Sequence, residues 1–479
     1  MSFWGKELNK EVLPSLKEDI TVDTLIIGGG IAGLTTLYYL KDKPSVCLVD
    51  ASIVGDGVTK NTTGKLTFLQ NTIYRDLANN IGYDVAEDYL KSQKYALNLA
   101  KEIIKNEKID CNLEQVDSYV FTNKESEVKK LKQEKKFLIS QNIEVKENNL
   151  PFDTPYLYAI SVSDTYVFHP IKYMNHLKEM LKDKIYEQTK ITKIEYKNKK
   201  YICYSDNVKI IADKVIVTCH YPFFFLPFCL PLKSHIEKSY IITRKVKKNP
   251  KYSCITVSNP GLSTRYYEDK TGVYQICLAS SHKTSKDQDD AKNFLNVKRI
   301  FNINDEDIID AWSNVDIITD DKMPYIGEAK KNFFVATGFN TWGMTNGILS
   351  GFLLSRAILG EKNPFEDLFS LKRSDFYQIK SFFGNIVGSA ISFIGSKKKE
   401  KDWYKGNLEF TKRNGKSVAI YTDKNGKRHI VYTTCPHMGC SLIFNEAEKT
   451  WDCPCHSSRF TIDGECIKGP SVKDVTYKE

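Results

Sequence analysis

The sequence predicts an α/β domain carrying an antiparallel-sheet region, followed by a small all-β domain. Three observations predict it: a strand, glycine turn and helix near each end of the first 365 residues; strand-like alternation between residues 185 and 279; and two Cys/His loops among short strands near the C-terminus. With 479 residues the chain can form two or three cores, and 41% hydrophobic with 27% charged excludes disorder on a large scale.

The charge of +10 is spread over Lys-rich stretches such as Lys129-Lys130-Leu131-Lys132, with Glu interleaved. That pattern reads as a solvated helix face, and no base-reading motif accompanies it, so no nucleic-acid partner is expected. Of the twelve cysteines, seven lie scattered before residue 300 without paired spacing. The N-terminus lacks the basic, apolar, small-residue order of a secretory signal, which makes a cytoplasmic location the expectation. No apolar run reaches the eighteen residues a transmembrane segment needs, so none is expected.

In chain order, an arm with Trp4 and Pro14 precedes the apolar run Asp23 to Ile27, which ends in Gly28-Gly29-Gly30-Ile31-Ala32-Gly33. Gly28 permits a tight turn, Gly30 lets the backbone approach a pyrophosphate, and Gly33 allows close helix packing, while the helix opened by Ile31 and Ala32 directs amides at the anion. A second strand, Val46 to Val49, ends in Asp50 and Ala51, about twenty residues on, where an acid binds a ribose hydroxyl. These features predict a dinucleotide site.

The polar stretch Asn61-Thr62-Thr63-Gly64-Lys65-Leu66-Thr67 comes next, then a mostly helical, Lys/Glu-rich region to about residue 150 that is expected to be an inserted cap. Ala212 to Cys219 reads as a strand returning to the nucleotide-binding sheet, and Ser239 to Ala279 as an antiparallel sheet. Phe333 to Phe339, through Gly338, then Trp342-Gly343-Met344-Thr345, form the second strand, glycine turn and helix.

Together these stretches resemble the D-amino-acid oxidase type of FAD-dependent oxidoreductase, across about residues 20 to 365. The resemblance implies a Rossmann-like, glutathione-reductase-type FAD-binding fold, with the second glycine turn closing over the flavin. It assigns Gly28, Gly30, Ile31, Ala32, Gly33, Asp50, Ala51, Thr63, Gly64, Lys65, Leu66, Gly338, Trp342, Gly343, Met344 and Thr345 to the cofactor. No Cys or His sits in that second turn or beside Asn61 to Thr67, so non-covalent FAD is expected. No catalytic residue is assigned; His169, in Phe168-His169-Pro170, is read as structural.

Residues 381 to 396 are apolar and small, too short to span a bilayer, and read as a linker helix, with an amphipathic membrane foot as the alternative. Short strands follow, with Lys424-Asn425-Gly426-Lys427 as a hairpin turn. Then come Cys435-Pro436-His437 and, after fifteen residues, Cys453-Pro454-Cys455-His456. Two Cys and two His also suit tetrahedral zinc, but zinc fingers usually pair like with like, whereas each loop here carries one of each. The spacing resembles a Rieske [2Fe–2S] domain, in which His₂ replaces Cys₂ on one iron. By that resemblance Cys435 and Cys453 hold one iron, His437 and His456 the other, and Cys440 and Cys455 form a disulfide between the loops, with Gly469-Pro470 covering the cluster. Ser458 sits where a family serine donates to a cluster sulfide, and Phe460 where high-potential members carry tyrosine, which implies an intermediate potential.

The expected organisation is a flavin domain over residues 1–375, with FAD-binding parts at about 20–77, 150–235 and 310–365 and cap or substrate parts at about 78–150 and 236–310. A linker at 376–400 leads to the Rieske domain at 401–479. The resemblance implies oxidation of a small amino acid or amine at FAD, with electrons leaving singly through the cluster to an external acceptor such as a ferredoxin-like or quinone carrier. The resemblance makes the cluster's histidine edge, the solvent-facing side in the family, the expected surface for electron exit or entry. Alternatives are a 2-hydroxy-acid dehydrogenase, and a reductase, shuttle or sensor reduced by a partner protein.

Overall fold

The computed structural model describes residues 2–151, 154–206, 208–222, 233–258, 260–284, 289–373, 407–446 and 448–477. The linker 376–400, with the apolar segment 381–396 inside it, lies outside the described residues.

The nucleotide-binding sheet has eight strands. Its centre is parallel, in the order Phe333–Thr337, Lys209–Val217, Ile20–Ile27, Val46–Val49, Ile185–Tyr186. These strands read as continuous apolar runs because both faces of the sheet are covered. Alternation within Ile20–Ile27 sorts the two cores: Ile26 joins Leu48, Ile216 and the helices Ile31–Tyr39 and Gly343–Leu359, while Leu25 and Ile27 join Val49, Val215 and Val335 on the opposite face.

A second sheet of nine strands follows the order Ile308–Thr319, Ser234–Val246, Gly272–Lys283, Leu262–Asp269, Tyr252–Thr256, Glu114–Thr122, Tyr158–Val167, Lys65–Leu66. All these pairs are antiparallel except Tyr252–Thr256 with Glu114–Thr122. The region to residue 150 is helical as expected at Ile73–Asn80, Tyr83–Asn106 and Glu125–Ser140, but Glu114–Thr122 is a strand inside this sheet. Its partner Tyr158–Val167, which the sequence placed in the FAD-binding part, also belongs here. Lys/Glu-rich flanking helices dominate the composition and conceal the alternation in that short run.

A buried ion pair anchors the N-terminal arm. Lys178 Nζ lies 2.8 Å from Glu187, whose oxygens accept the amides of Leu13 and Val54 at 2.7 Å each. The loop ahead of Lys65 is clamped by two tryptophans, Trp4 donating to the carbonyl of Thr62 at 2.8 Å and Trp312 to that of Asn61 at 3.0 Å.

The C-terminal domain pairs a three-stranded antiparallel sheet, Leu408–Arg413, Lys416–Thr422 and Arg428–Tyr432, with four strands of three residues each. Gly426, at φ 80°, makes the hairpin turn where the sequence places it. Trp451, Phe460, Phe444 and Tyr421 fill a small core.

The two domains meet through a buried charge cluster. Lys238 of the second sheet lies 2.9 Å from Asp290 and 3.1 Å from Asp452 of the C-terminal domain; Arg459 holds Asp452 at 2.8 Å and Glu448 at 3.1 Å. Further hydrogen bonds add to it: Thr284 donates to the Pro454 carbonyl at 2.8 Å, and Arg459 to the Ser313 hydroxyl at 3.2 Å. Removing one member of a buried charge set leaves its partners uncompensated, at a cost of about 3–5 kcal/mol. Lys238→Met should therefore lower the thermal transition of the C-terminal domain and speed proteolytic separation of the domains; calorimetry and limited proteolysis unchanged from wild type would refute the role of this cluster.

Candidate functional site

A cavity of about 810 Å³ opens between the two sheets, with residues of the C-terminal domain forming part of its wall. On the nucleotide-binding side it is lined by Gly28, Gly30, Ile31 and Ala32, by Asp50 and Ala51, and by Gly338, Trp342, Gly343 and Met344. Gly28 has φ 109°, and a Cβ there would lie 3.0 Å from the Cys219 amide. Both glycine turns place a helix N-terminus at the cavity, Ile31–Tyr39 and Gly343–Leu359, which suits an anionic dinucleotide.

Four residues assigned to the cofactor stand behind this wall. A Cβ on Gly33 would fall 1.9 Å from the Gly28 carbonyl oxygen, so this glycine packs helix against turn. Gly64 lies under the Arg265 guanidinium, Leu66 is core, and buried Thr345 donates to the Thr67 carbonyl at 3.5 Å. Thr63 and Lys65 do reach the cavity.

Asp50 is already engaged by backbone. Its Oδ2 accepts from Gly29 N at 2.6 Å and Oδ1 from Ser52 N at 2.7 Å; burial pushes its carboxyl up and the two amides oppose that. Each oxygen keeps a further lone pair for a hydroxyl. His169 is structural: Nδ1 accepts from Lys172 N at 3.1 Å as a helix N-cap, and burial lowers its pKa.

The sequence missed the loop after Lys209–Val217. Thr218, Cys219, His220 and Tyr221 all line the cavity, as do Glu237 and Asp316 from the second sheet and Cys466 and Lys468 from the C-terminal domain. Cys219, His220 and Cys466 lie outside the second glycine turn and the stretch Asn61 to Thr67, from which non-covalent flavin is expected. Only the pairing of the preceding strand, Lys209–Val217, with Ile20–Ile27 could have drawn attention to this loop, since its residues form no motif.

At the far side of Tyr221 the two Cys/His loops converge. Their tips are joined by the disulfide Cys440–Cys455, with Cα atoms 6.6 Å apart. Proximity alone groups Cys440, Cys453 and Cys455, but the first and last are in the disulfide and offer no thiolate. Cys435 and Cys453 share a hydrogen bond, which lowers Cys435 to about 7 and raises Cys453; amides of His437 and Met438 point at the first sulfur, those of Cys455 and His456 at the second. Ser458 also donates to Cys435, and its oxygen accepts from Ser471 N at 2.9 Å beside Gly469-Pro470.

The rings of His437 and His456 stand 4.9 Å apart, and both Nδ1 atoms are buried without a partner. Burial lowers both, His456 to about 4, so they are neutral at pH 7, as ligation requires. Two thiols with converging amide donors and two orphaned, neutral imidazole nitrogens fit a His₂Cys₂ cluster. The imidazole edge is turned towards the cavity: the Tyr221 ring lies 5.4 Å from His456 and 6.4 Å from His437.

Comparison with known proteins gives two family matches: FAD dependent oxidoreductase (DAO) over residues 23–357, and Rieske [2Fe-2S] domain over residues 396–478. A protein of Bacillus subtilis (strain 168) named as a Rieske 2Fe-2S iron-sulfur protein, YhfW, is 29% identical over 98% of this chain and 96% of its own length. Among solved structures, glycine oxidase from Geobacillus kaustophilus superposes with TM-score 0.60 at 17% identity, covering 74% of this chain and 99% of that one. L-proline dehydrogenase from P. horikoshii does so with TM-score 0.60 at 15% identity, covering 75% and 98%.

Phe460 is fully buried in the core beside the Cys453 loop and supplies no hydroxyl. Phe460→Tyr should raise the cluster's midpoint potential; a net hydrogen bond of about 1 kcal/mol corresponds to about 40 mV for a one-electron couple. Redox titration showing no change or a fall would contradict this.

Proposed function

The chain belongs to the FAD dependent oxidoreductase (DAO) family and ends in a Rieske [2Fe-2S] domain, and from that premise we propose that it is a dehydrogenase of a small amino acid or amine whose electrons leave through the cluster. Its cofactors are FAD and a [2Fe–2S] cluster. When bound, FAD accepts an electron pair from the C–N bond and the cluster passes electrons on singly to an external carrier, ferredoxin-like or quinone. The observation that carries this reading is the Tyr221 ring, which lines the cavity on one side and meets His437 and His456 on the other.

In this reading residues 1–375 form the flavin domain, 376–400 the connection and 401–479 the Rieske domain. Gly28, Gly30 and the two helix N-termini receive the dinucleotide, and Asp50 takes the ribose with its free lone pairs. Gly338, Trp342, Gly343 and Met344 frame the flavin ring, held without a covalent bond. Cys435 and Cys453 hold one iron, and His437 and His456 the other. The substrate class draws on the glycine oxidase and L-proline dehydrogenase whose fold the domain shares, both named for amino acids. No described helix is long and apolar enough to cross a membrane.

The test is anaerobic mixing of the holoenzyme with amino acids, amines and 2-hydroxy acids, following flavin bleaching and the reduced-Rieske EPR signal together. An amino acid or amine that bleaches the flavin before the EPR signal grows supports the reading. Response to hydroxy acids alone makes the protein a 2-hydroxy-acid dehydrogenase, and a cluster reduced first by a carrier protein or NAD(P)H makes it a reductase or shuttle. In the same assay Tyr221→Ala should delay the EPR signal after bleaching without altering FAD content, whereas Tyr221→Phe should not; equal delays in both would discard the ring as the bridge.

A further inference from the structure

Besides Lys238 at the domain interface, the second sheet carries two buried cations among the described residues, Arg265 and Lys65, and their surroundings differ. Arg265 gives Nη1 to three carbonyls, those of Thr63 at 3.0 Å, Gly64 at 2.8 Å and Phe168 at 2.9 Å, and lies over the Trp4 ring. It shapes the polar turn from behind. Lys65 lines the cavity although only 9% of its surface is exposed. Its amine donates to the Ser263 hydroxyl and to the Cys254 carbonyl at 3.3 Å, both neutral. One of its three donors is left over, and among the described residues no carboxylate lies within ion-pair distance of it.

The cavity's own acids do not supply the missing charge. Asp50 is held by the amides of Gly29 and Ser52. Glu237 and Asp316 face each other in register on strands Ser234–Val246 and Ile308–Thr319, where burial pushes the Asp316 carboxyl up to about 6 against the opposing charge of Lys468. Asp56 is paired with Lys60, and Asp76 with Arg75 and Lys322. The side chains nearest Ser263 on the floor are apolar: Ser263 pairs with Ile255 and Leu278, and Leu278 with Ile241, all lining the cavity. A buried ammonium in neutral surroundings is costly unless an anion completes it. The glycine turn that suits the pyrophosphate belongs to the other sheet, so the cofactor's phosphates do not account for this charge.

We infer that Lys65, assigned from the sequence to the cofactor, instead binds the carboxylate of the substrate, and that Ile241, Ile255 and Leu278 beside it select a small monocarboxylate with an apolar side chain. This rests on the oxidation of an amino acid or amine proposed above, and narrows it to α-amino acids with aliphatic side chains.

The test titrates the holoenzyme with acetate and butyrate, and with acetamide and butyramide as neutral counterparts, reading binding from the visible spectrum of the bound flavin. Wild type should bind butyrate more tightly than acetate. Lys65→Met should weaken butyrate by about tenfold or more, the scale of one charged hydrogen bond, with amide binding and FAD content unchanged. Lys65→Arg should retain part of the affinity. Carboxylate binding unchanged in Lys65→Met, loss of FAD from it, or no carboxylate binding by wild type would each overturn the inference. Because binding is read without turnover, a wild type that binds butyrate through Lys65 yet is not reduced by any amino acid fails only the proposed reaction.

Discussion

The buried charge cluster around Asp452 fixes the relation of the two domains, and the rest of the site depends on that relation. Lys238 meets Asp452 across the interface, with Asp290 completing the set on its own side and Arg459 and Glu448 on the other. Charges taken out of water tolerate little displacement, since each loses far more by separation in a low-dielectric setting than an exposed pair does. Asp452 is consequently held well below the usual carboxylate range, chiefly by Arg459 and Lys238 against the opposing effect of burial. Because Asp452 immediately precedes Cys453, the pair that docks the domain also sets the position of the cluster loop.

That placement turns the imidazole edge inward. From sequence, the histidine edge is the surface expected to exchange electrons with the outside; here Tyr221 covers it from the cavity side. The cavity becomes a composite, with the parallel sheet giving the glycine turns, the antiparallel sheet the floor, and the C-terminal domain the Cys466 to Val472 wall. Neither family segment alone encloses it.

Motifs whose chemistry is local were legible in the sequence. Gly28 to Gly33, the turn at Gly338 to Met344 and the Cys/His loops each work through backbone geometry or ligand type within a few residues, so spacing alone reports them. What spacing could not report was contact over long sequence separations. Trp4, Arg265 and Trp312 shape the turn at residues 61 to 64 from three distant strands or arms, and His220 and Tyr221 reach the cavity only because Lys209–Val217 returns beside Ile20–Ile27. Leu66 and Thr345 err the other way: both are adjacent in sequence to cavity residues, and alternation or helix rotation turns them into the core.

The C-terminal domain shows why its metal loops and its docking surface go together. Short strands of three residues and a core built around Trp451 and Phe460 bury little apolar surface for a unit of this size. The disulfide closes a span of 15 residues, worth about 3 kcal/mol by the loss of chain entropy in the unfolded state. The orphaned Nδ1 atoms of His437 and His456 are, by contrast, unfavourable until ligated, because buried polar groups without partners cost free energy. Cluster ligation therefore contributes to folding as well as to redox chemistry. A domain so dependent on its cofactor is stabilised further by resting against a larger partner, and the same contact that stabilises it holds its imidazoles against Tyr221.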